Sequence, residues 1–118
     1  MRATTRFALK GAVALGVLAG GVVHAQNYPA KPIRMIVPFS PGGSLDLVAR
    51  MLSKTASPEL GQQIVVENRA GAGGTIGVDL VAKSPPDGYT LLIVQSSITV
   101  NPSLMQKIPY DPVKDFEA

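Results

Sequence analysis

The chain has no cysteine and no tryptophan, and its one histidine is His24. Without cysteine there is no disulfide to staple an exported fold and no thiolate to attack a substrate or hold a metal. A lone histidine so close to the N-terminus, in a segment expected to be removed, leaves no serine–histidine or cysteine–histidine nucleophile system. Imidazole metal sites are excluded on the same ground. Aromatic residues are sparse as well, and Tyr28, Tyr89 and Tyr110 read as packing residues, not as a stacking platform.

The N-terminus carries most of what is unusual in the composition. Arg2, Arg6 and Lys10 form a basic region, Gly11 to Val23 an apolar one, and Val23-His24-Ala25 has the small, any, small pattern of a signal-peptidase site. The apolar run falls short of the roughly 20 residues a membrane span needs. Cleavage is therefore predicted after Ala25, dividing the chain into a signal peptide, 1–25, and a periplasmic part, 26–118. The arginines are not adjacent and no cysteine offers a lipid attachment point, so neither a twin-arginine route nor a lipoprotein is expected. The net charge of +3 belongs to this segment, because the residues after it hold eight Lys and Arg against eight Asp and Glu. A neutral chain has no electrostatic footprint for nucleic acid, which is not expected as a partner.

Beyond a polar lead with two prolines, the pattern alternates between apolar runs and amphipathic ones. Ile33 to Val37 is apolar enough for a buried parallel strand, and Pro38-Phe39-Ser40-Pro41-Gly42-Gly43-Ser44 turns it into a helix beginning near Leu45. Leu45, Val48, Ala49 and Leu52 make an apolar stripe on that helix, with Asp46, Arg50, Ser53 and Lys54 on another face. Asp46 and Arg50 are spaced as an ion pair with the acid first, and Pro58 and Gly61 are expected to end the helix. A second strand, Ile64 to Glu67, enters the turn Asn68-Arg69-Ala70-Gly71-Ala72-Gly73-Gly74, and a second helix is expected from about Thr75 to Lys83. Ser84-Pro85-Pro86-Asp87-Gly88 leads into a third strand, Tyr89 to Val94, and a polar loop, 95–99, with a short helical turn after Asn101-Pro102.

The order β-α-β-α-β, with crossovers long enough for a helix, predicts an open α/β fold with a parallel sheet and right-handed connections. In such sheets ligands bind at the carboxyl ends of the strands, where loops 38–46, 67–75 and 95–101 all fall. Two of them place paired glycines at a helix start, where free N–H groups and the helix dipole favour an anion. Nothing in the pattern asks for a cofactor or marks a catalytic residue.

Several ordered motifs resemble those of one family. They are Lys31-Pro32-Ile33-Arg34, Val37-Pro38-Phe39, Pro41-Gly42-Gly43 with Asp46, Val65-Val66-Glu67-Asn68-Arg69, Gly71-Ala72-Gly73-Gly74 with Gly77, Pro86-Asp87-Gly88-Tyr89-Thr90-Leu91, Asn101-Pro102-Ser103-Leu104, and Tyr110-Asp111-Pro112-Val113-Lys114-Asp115-Phe116. Together they resemble the Bug family, the periplasmic solute-binding proteins of tripartite tricarboxylate transporters, over essentially the whole of 26–118. The resemblance implies a type II-like periplasmic binding protein lobe, a monomeric receptor and not an enzyme, which binds a small carboxylate and passes it to the transporter's membrane subunits. It also implies ligand contacts from Gly42, Gly43, Gly73 and Gly74 in the first two turns, from Ser96, Ser97 and Thr99 in the third loop, and from Phe39 as an apolar wall. Ser40 and Asp46, within the first loop, 38–46, complete the candidate ligand-binding set. Leu45 stands where the family usually has Ser or Thr, and Ser40 where proline is common, two departures that bear on specificity.

Two lobes need on the order of 200 residues or more, so the chain is expected to be the N-terminal part of lobe one, truncated. Two other readings compete. One is an exported α/β piece that binds no ligand. The other is part of a dinucleotide-binding enzyme, but in Gly71-Ala72-Gly73-Gly74-Thr75-Ile76-Gly77 the third glycine of the phosphate-binding fingerprint falls at Ile76, and Gln95 and Ser96 stand where a ribose-binding acid is expected.

Overall fold

A computed structural model describes residues 27–117. The expected signal peptide, 1–25, and the expected cleavage after Ala25 lie outside the described residues. Strand β1 (Ile33–Val37) is followed by helix α1 (Ser44–Leu60), β2 (Ile64–Asn68), α2 (Thr75–Ala82), β3 (Thr90–Leu92) and α3 (Ser97–Leu104). The sheet is parallel in the order β2-β1-β3, with Ile33 to Val37 in register with Ile64 to Asn68 and Arg34 to Ile36 with Thr90 to Leu92. The central strand is accordingly the most apolar one, and Ile33, Met35, Ile36 and Val37 are all buried.

From β1 the chain steps to one side through α1 and then crosses to the other through α2. Right-handed crossovers in opposite directions put the two helices on opposite faces. The alternation of β1 agrees with this. Ile33, Met35 and Val37 cluster with Ala49 of α1 and Ile64 of β2, while Pro38, on the alternate phase, lies against Gly77 of α2.

Four expectations are corrected. Helix α1 runs through Pro58 and ends at Leu60, capped by Gly61 in the left-handed conformation (φ 68°). Proline in the last turn forfeits one backbone bond, and Gly61 supplies the stop. Second, the buried side of α1 is only partly the apolar stripe, with Leu45 and Ala49 packed on the core and Val48 and Leu52 turned away from it. Asp46 and Ala49 are buried and Ser53, Ala56 and Ser57 half-buried, whereas Val48 and Leu52 are 46% and 47% exposed. The reason is polar: the Ser53 hydroxyl donates to the Ile64 carbonyl, and the Ser57 hydroxyl accepts the Ile64 N–H (2.9 Å), so the entry of β2 is held by serines. Third, β3 is shorter than its apolar run, because β1 offers ladder partners only for Thr90 to Leu92 before Ile93 N–H makes a last bond to the Ile36 carbonyl. Fourth, the loop at 95–99 becomes helical at Ser97, and Asn101 and Pro102 fall inside α3 instead of preceding a helix.

Candidate functional site

All three strands are parallel, so α1, α2 and α3 begin at one edge of the sheet. The three loops expected there are brought together by contacts between them.

The first turn, residues 38–43, is shaped by Gly42 at φ 86°, a left-handed conformation that favours glycine. Gly43 differs. It is the residue before α1, has an ordinary extended backbone (φ −77°, ψ 169°), and a Cβ there would meet only the Ser40 carbonyl oxygen at 3.7 Å. Neither conformation nor space requires glycine at this position, where Ser, Asp or Asn would cap the helix better. No side chain caps α1, so the N–H groups that open it have no partner within the helix and none from a cap.

The second turn is a left-handed coil: Ala72, Gly73 and Gly74 take φ of 47°, 65° and 94°. Its bonds are partly internal, because Gly74 N–H donates to the Gly71 carbonyl (3.0 Å) and Thr75 N–H to that of Ala72. No side chain caps α2 either. Gly74 is buried under the first turn, close enough that a Cβ would come within 3.3 Å of Phe39 Cζ. The third segment reaches the second turn through Asn101, whose Nδ2 donates to the Gly73 carbonyl (3.2 Å). Thr75 Oγ1 lies 3.7 Å from Met105 Sδ, just past the end of α3. Within α3's first turn the Thr99 hydroxyl donates to the Ser96 carbonyl (2.9 Å), while Ser96 and Thr99 are exposed and Ser97 half-buried.

Asp46 is the charged group at this edge, and it faces inward, only 4% exposed. Its Oδ2 accepts from Gly42 N–H (2.9 Å) and Arg50 Nε (3.0 Å), and its Oδ1 from Asn68 Nδ2 (3.0 Å). The Arg50 guanidinium, helped by the Gly42 and Asn68 donors, lowers its pKa from 3.8 to about 2. Asn68, the last residue of β2, also donates to the Phe39 carbonyl (3.2 Å) and accepts from Arg50 Nη2 (3.3 Å). Nearby, Glu67 binds Arg34 in a fork (2.7 and 2.9 Å) and Arg69 at 3.1 Å, and these partners bring it from 4.5 to about 2. The two arginines nearest the turns, Arg50 and Arg69, are thus paired with carboxylates.

Sequence reasoning placed Phe39, Ser40, Gly42, Gly43, Gly73, Gly74, Ser96, Ser97 and Thr99 at this edge, and all lie in its three segments. It anticipated the Asp46–Arg50 pair and missed the roles of Asn68 and Asn101. The signal for Asn68 was present, an asparagine ending an apolar strand, and Asn101 stood in a polar segment with no such mark, and each has its partners in a different segment of the chain. Among the described residues no group of three His, Cys, Asp or Glu is arranged to hold a metal ion, and no helix is long and apolar enough to cross a membrane.

The family profile described as "Tripartite tricarboxylate transporter family receptor" matches residues 48–118. The chain is 57% identical over 96 residues to the protein BugT of Bordetella pertussis, covering 80% of this chain and 29% of BugT. Among solved structures it is similar to the periplasmic binding protein BugD (TM-score 0.74, 47% identity, 76% of this chain and 30% of BugD). It is also similar to MatC of Rhodopseudomonas palustris, solved with bound malate (TM-score 0.67, 37% identity, 75% of this chain and 31% of MatC). The chain thus spans about 30% of the length of these relatives.

Proposed function

Since the chain belongs to the tripartite tricarboxylate transporter receptor family, we propose that its three-turn edge forms one wall of a periplasmic site for a small carboxylate, which is delivered to the membrane subunits of such a transporter. The observation that carries this reading is the start of α1, where Gly43 leaves a helix end uncapped although nothing in the backbone or the packing asks for glycine. A helix end in this state offers convergent N–H donors to an anion, with a preference of about 0.3–1 kcal/mol that rises to about 2 when the site is partly buried. Gly42 and Gly74 act through shape, since their own N–H groups are engaged within the protein. Gly43, Ser44, Leu45 and Gly73 are the donors, Phe39 is the apolar wall, and Ser96, Ser97 and Thr99 border the site from α3. Ser40 flanks the first turn. The arginines being paired, the carboxylate is recognised by the backbone and not by a salt bridge. The malate held by MatC has the chemistry this wall suits. The reading is of a monomeric receptor with no catalytic residue and no cofactor.

Replacing Gly43 separates binding from folding. In Gly43→Asp the new carboxylate caps α1 and occupies the place of the ligand's own. The unfolding midpoint should hold or rise, by a few tenths of a kcal/mol on average for such a cap. Calorimetric affinity for malate, succinate or adipate should fall at least about tenfold, the equivalent of roughly 1.4 kcal/mol. Gly43→Ala, which keeps the donors and has room for its methyl, should bind nearly as the parent chain does. Unchanged binding in Gly43→Asp would refute the backbone-donor site.

A further inference from the structure

We propose that Asp46, Asn68 and Arg50 are positioning residues that lock the first glycine turn to the end of β2, and so fix the distance between the two anion-binding turns. The inference rests on the receptor reading above and deepens it.

The three side chains form a closed set. Asp46 and Arg50 lie one turn apart on α1 and Asn68 ends β2, yet every pair among them is hydrogen-bonded. Among the described residues the set reaches outward at two backbone groups, both in the first turn: Gly42 N–H, which donates to Asp46, and the Phe39 carbonyl, which accepts from Asn68 Nδ2. One residue further on, Arg69 N–H bonds the Val37 carbonyl (2.8 Å), and the second turn begins. The first turn is therefore fastened to the strand end from which the second turn departs, directly near its start and through Asp46 near its end. Exposed loops with glycines sample many conformations, and ordering them on binding costs affinity. Groups ordered beforehand spare the ligand that cost. The lock also explains how a carboxylate is tolerated beside an anion site, since both Asp46 oxygens face donors inside the protein.

The test is amide exchange together with calorimetry on the whole chain. In Asp46→Asn one acceptor becomes a donor facing another donor. Exchange at Gly42 and Arg69, the bonded amides of the lock, should quicken at least about tenfold, the order expected when a hydrogen bond to a charged group is lost. Exchange at Ile93, in the sheet, should stay within about twofold, and malate affinity should fall with the turns. Asn68→Asp, which sets two carboxylates together, should behave alike. The double exchange, Asp46→Asn with Asn68→Asp, puts amide and carboxylate in swapped places, leaves only the Phe39 carbonyl without its donor, and should recover most of both losses. Should Asp46→Asn not fold, Asn68→Ala keeps the Asp46–Arg50 pair and reports the same local loosening.

Uniform quickening of turns and sheet would mean a general loss of stability and would overturn the proposal, as would a double variant no better than the single ones. Loss of binding with exchange unchanged would also overturn it, by making Asp46 a direct ligand contact. If the parent chain binds no carboxylate at all, the receptor reading fails for this chain while the exchange measurements still decide the lock.

Discussion

At the scale of single residues, the glycines divide by what they do. Gly77, inside α2, has ordinary helical geometry, but a Cβ on it would come within 2.7 Å of Pro38 Cβ and 2.8 Å of the Arg69 carbonyl oxygen and Pro38 Cα. Two of these neighbours are backbone atoms and cannot rotate aside. Gly77→Ala should therefore destabilise the fold by about 1–3 kcal/mol despite the better helix propensity of alanine, and a urea midpoint at or above that of the parent would contradict the close packing. In sequence Gly77 showed only as a glycine in a helical pattern, because Pro38 follows a different strand, one crossover earlier. The turn glycines were legible by contrast, since a pair of them between an apolar run and an amphipathic one carries its own local reason. Asn68 was the opposite case. A strand-ending asparagine fits many structures, and only the folded arrangement brings Asp46 and Phe39 to it.

At the scale of elements, α1 shows how a periodic pattern can be sound about the helix and mistaken about its orientation. The stripe Leu45, Val48, Ala49, Leu52 predicted helix correctly, but the helix is turned so that only Leu45 and Ala49 of it meet the sheet, beside small and hydroxyl residues. Ala49 is fully buried and its neighbour Val48 is not. Val48→Ser should therefore cost under about 1 kcal/mol, whereas Ala49→Val, which overfills the contact with Met35 and Val37, should cost about 1–3 kcal/mol. Equal losses in chemical denaturation would restore the stripe as the buried face. The segment after α3 has a structure set locally. Asp111 Oδ1 accepts the N–H groups of Val113 and Lys114, while Asp115 Oδ2 accepts that of Asp111 (2.7 Å), so the motif's two acids close a turn on themselves. The donors lower the Asp111 pKa.

At the scale of the whole molecule, the carboxylates that tie loops to strands make stability depend on acid. Asp46 and Glu67 both titrate near 2 when folded, below their ordinary values of 3.8 and 4.5. The unfolded chain therefore binds protons first as pH falls. The contribution of these groups is fully present above about pH 5 and is lost on approach to about pH 2. The urea midpoint should be level above that window and drop within it, and Asp46→Asn should flatten part of the drop. A midpoint unaffected down to about pH 2.5 would show that neither network stabilises the fold. The parallel core and its three-loop edge were legible in the sequence because crossover length and glycine placement dictate them. The strand order β2-β1-β3 and the opposed helices follow from which strand is most apolar, a comparison that no single motif contains. That arrangement has a kinetic consequence. Three helices start at one edge, so residues 27–117, which carry equal numbers of acidic and basic side chains, still form an oriented dipole with its positive end over the loops. An approaching anion feels a dipole and not a net charge, and that attraction fades within a Debye length of about 8 Å in physiological salt. Encounter is left to diffusion over most of the approach, while orientation of the anion is set in the last few ångströms.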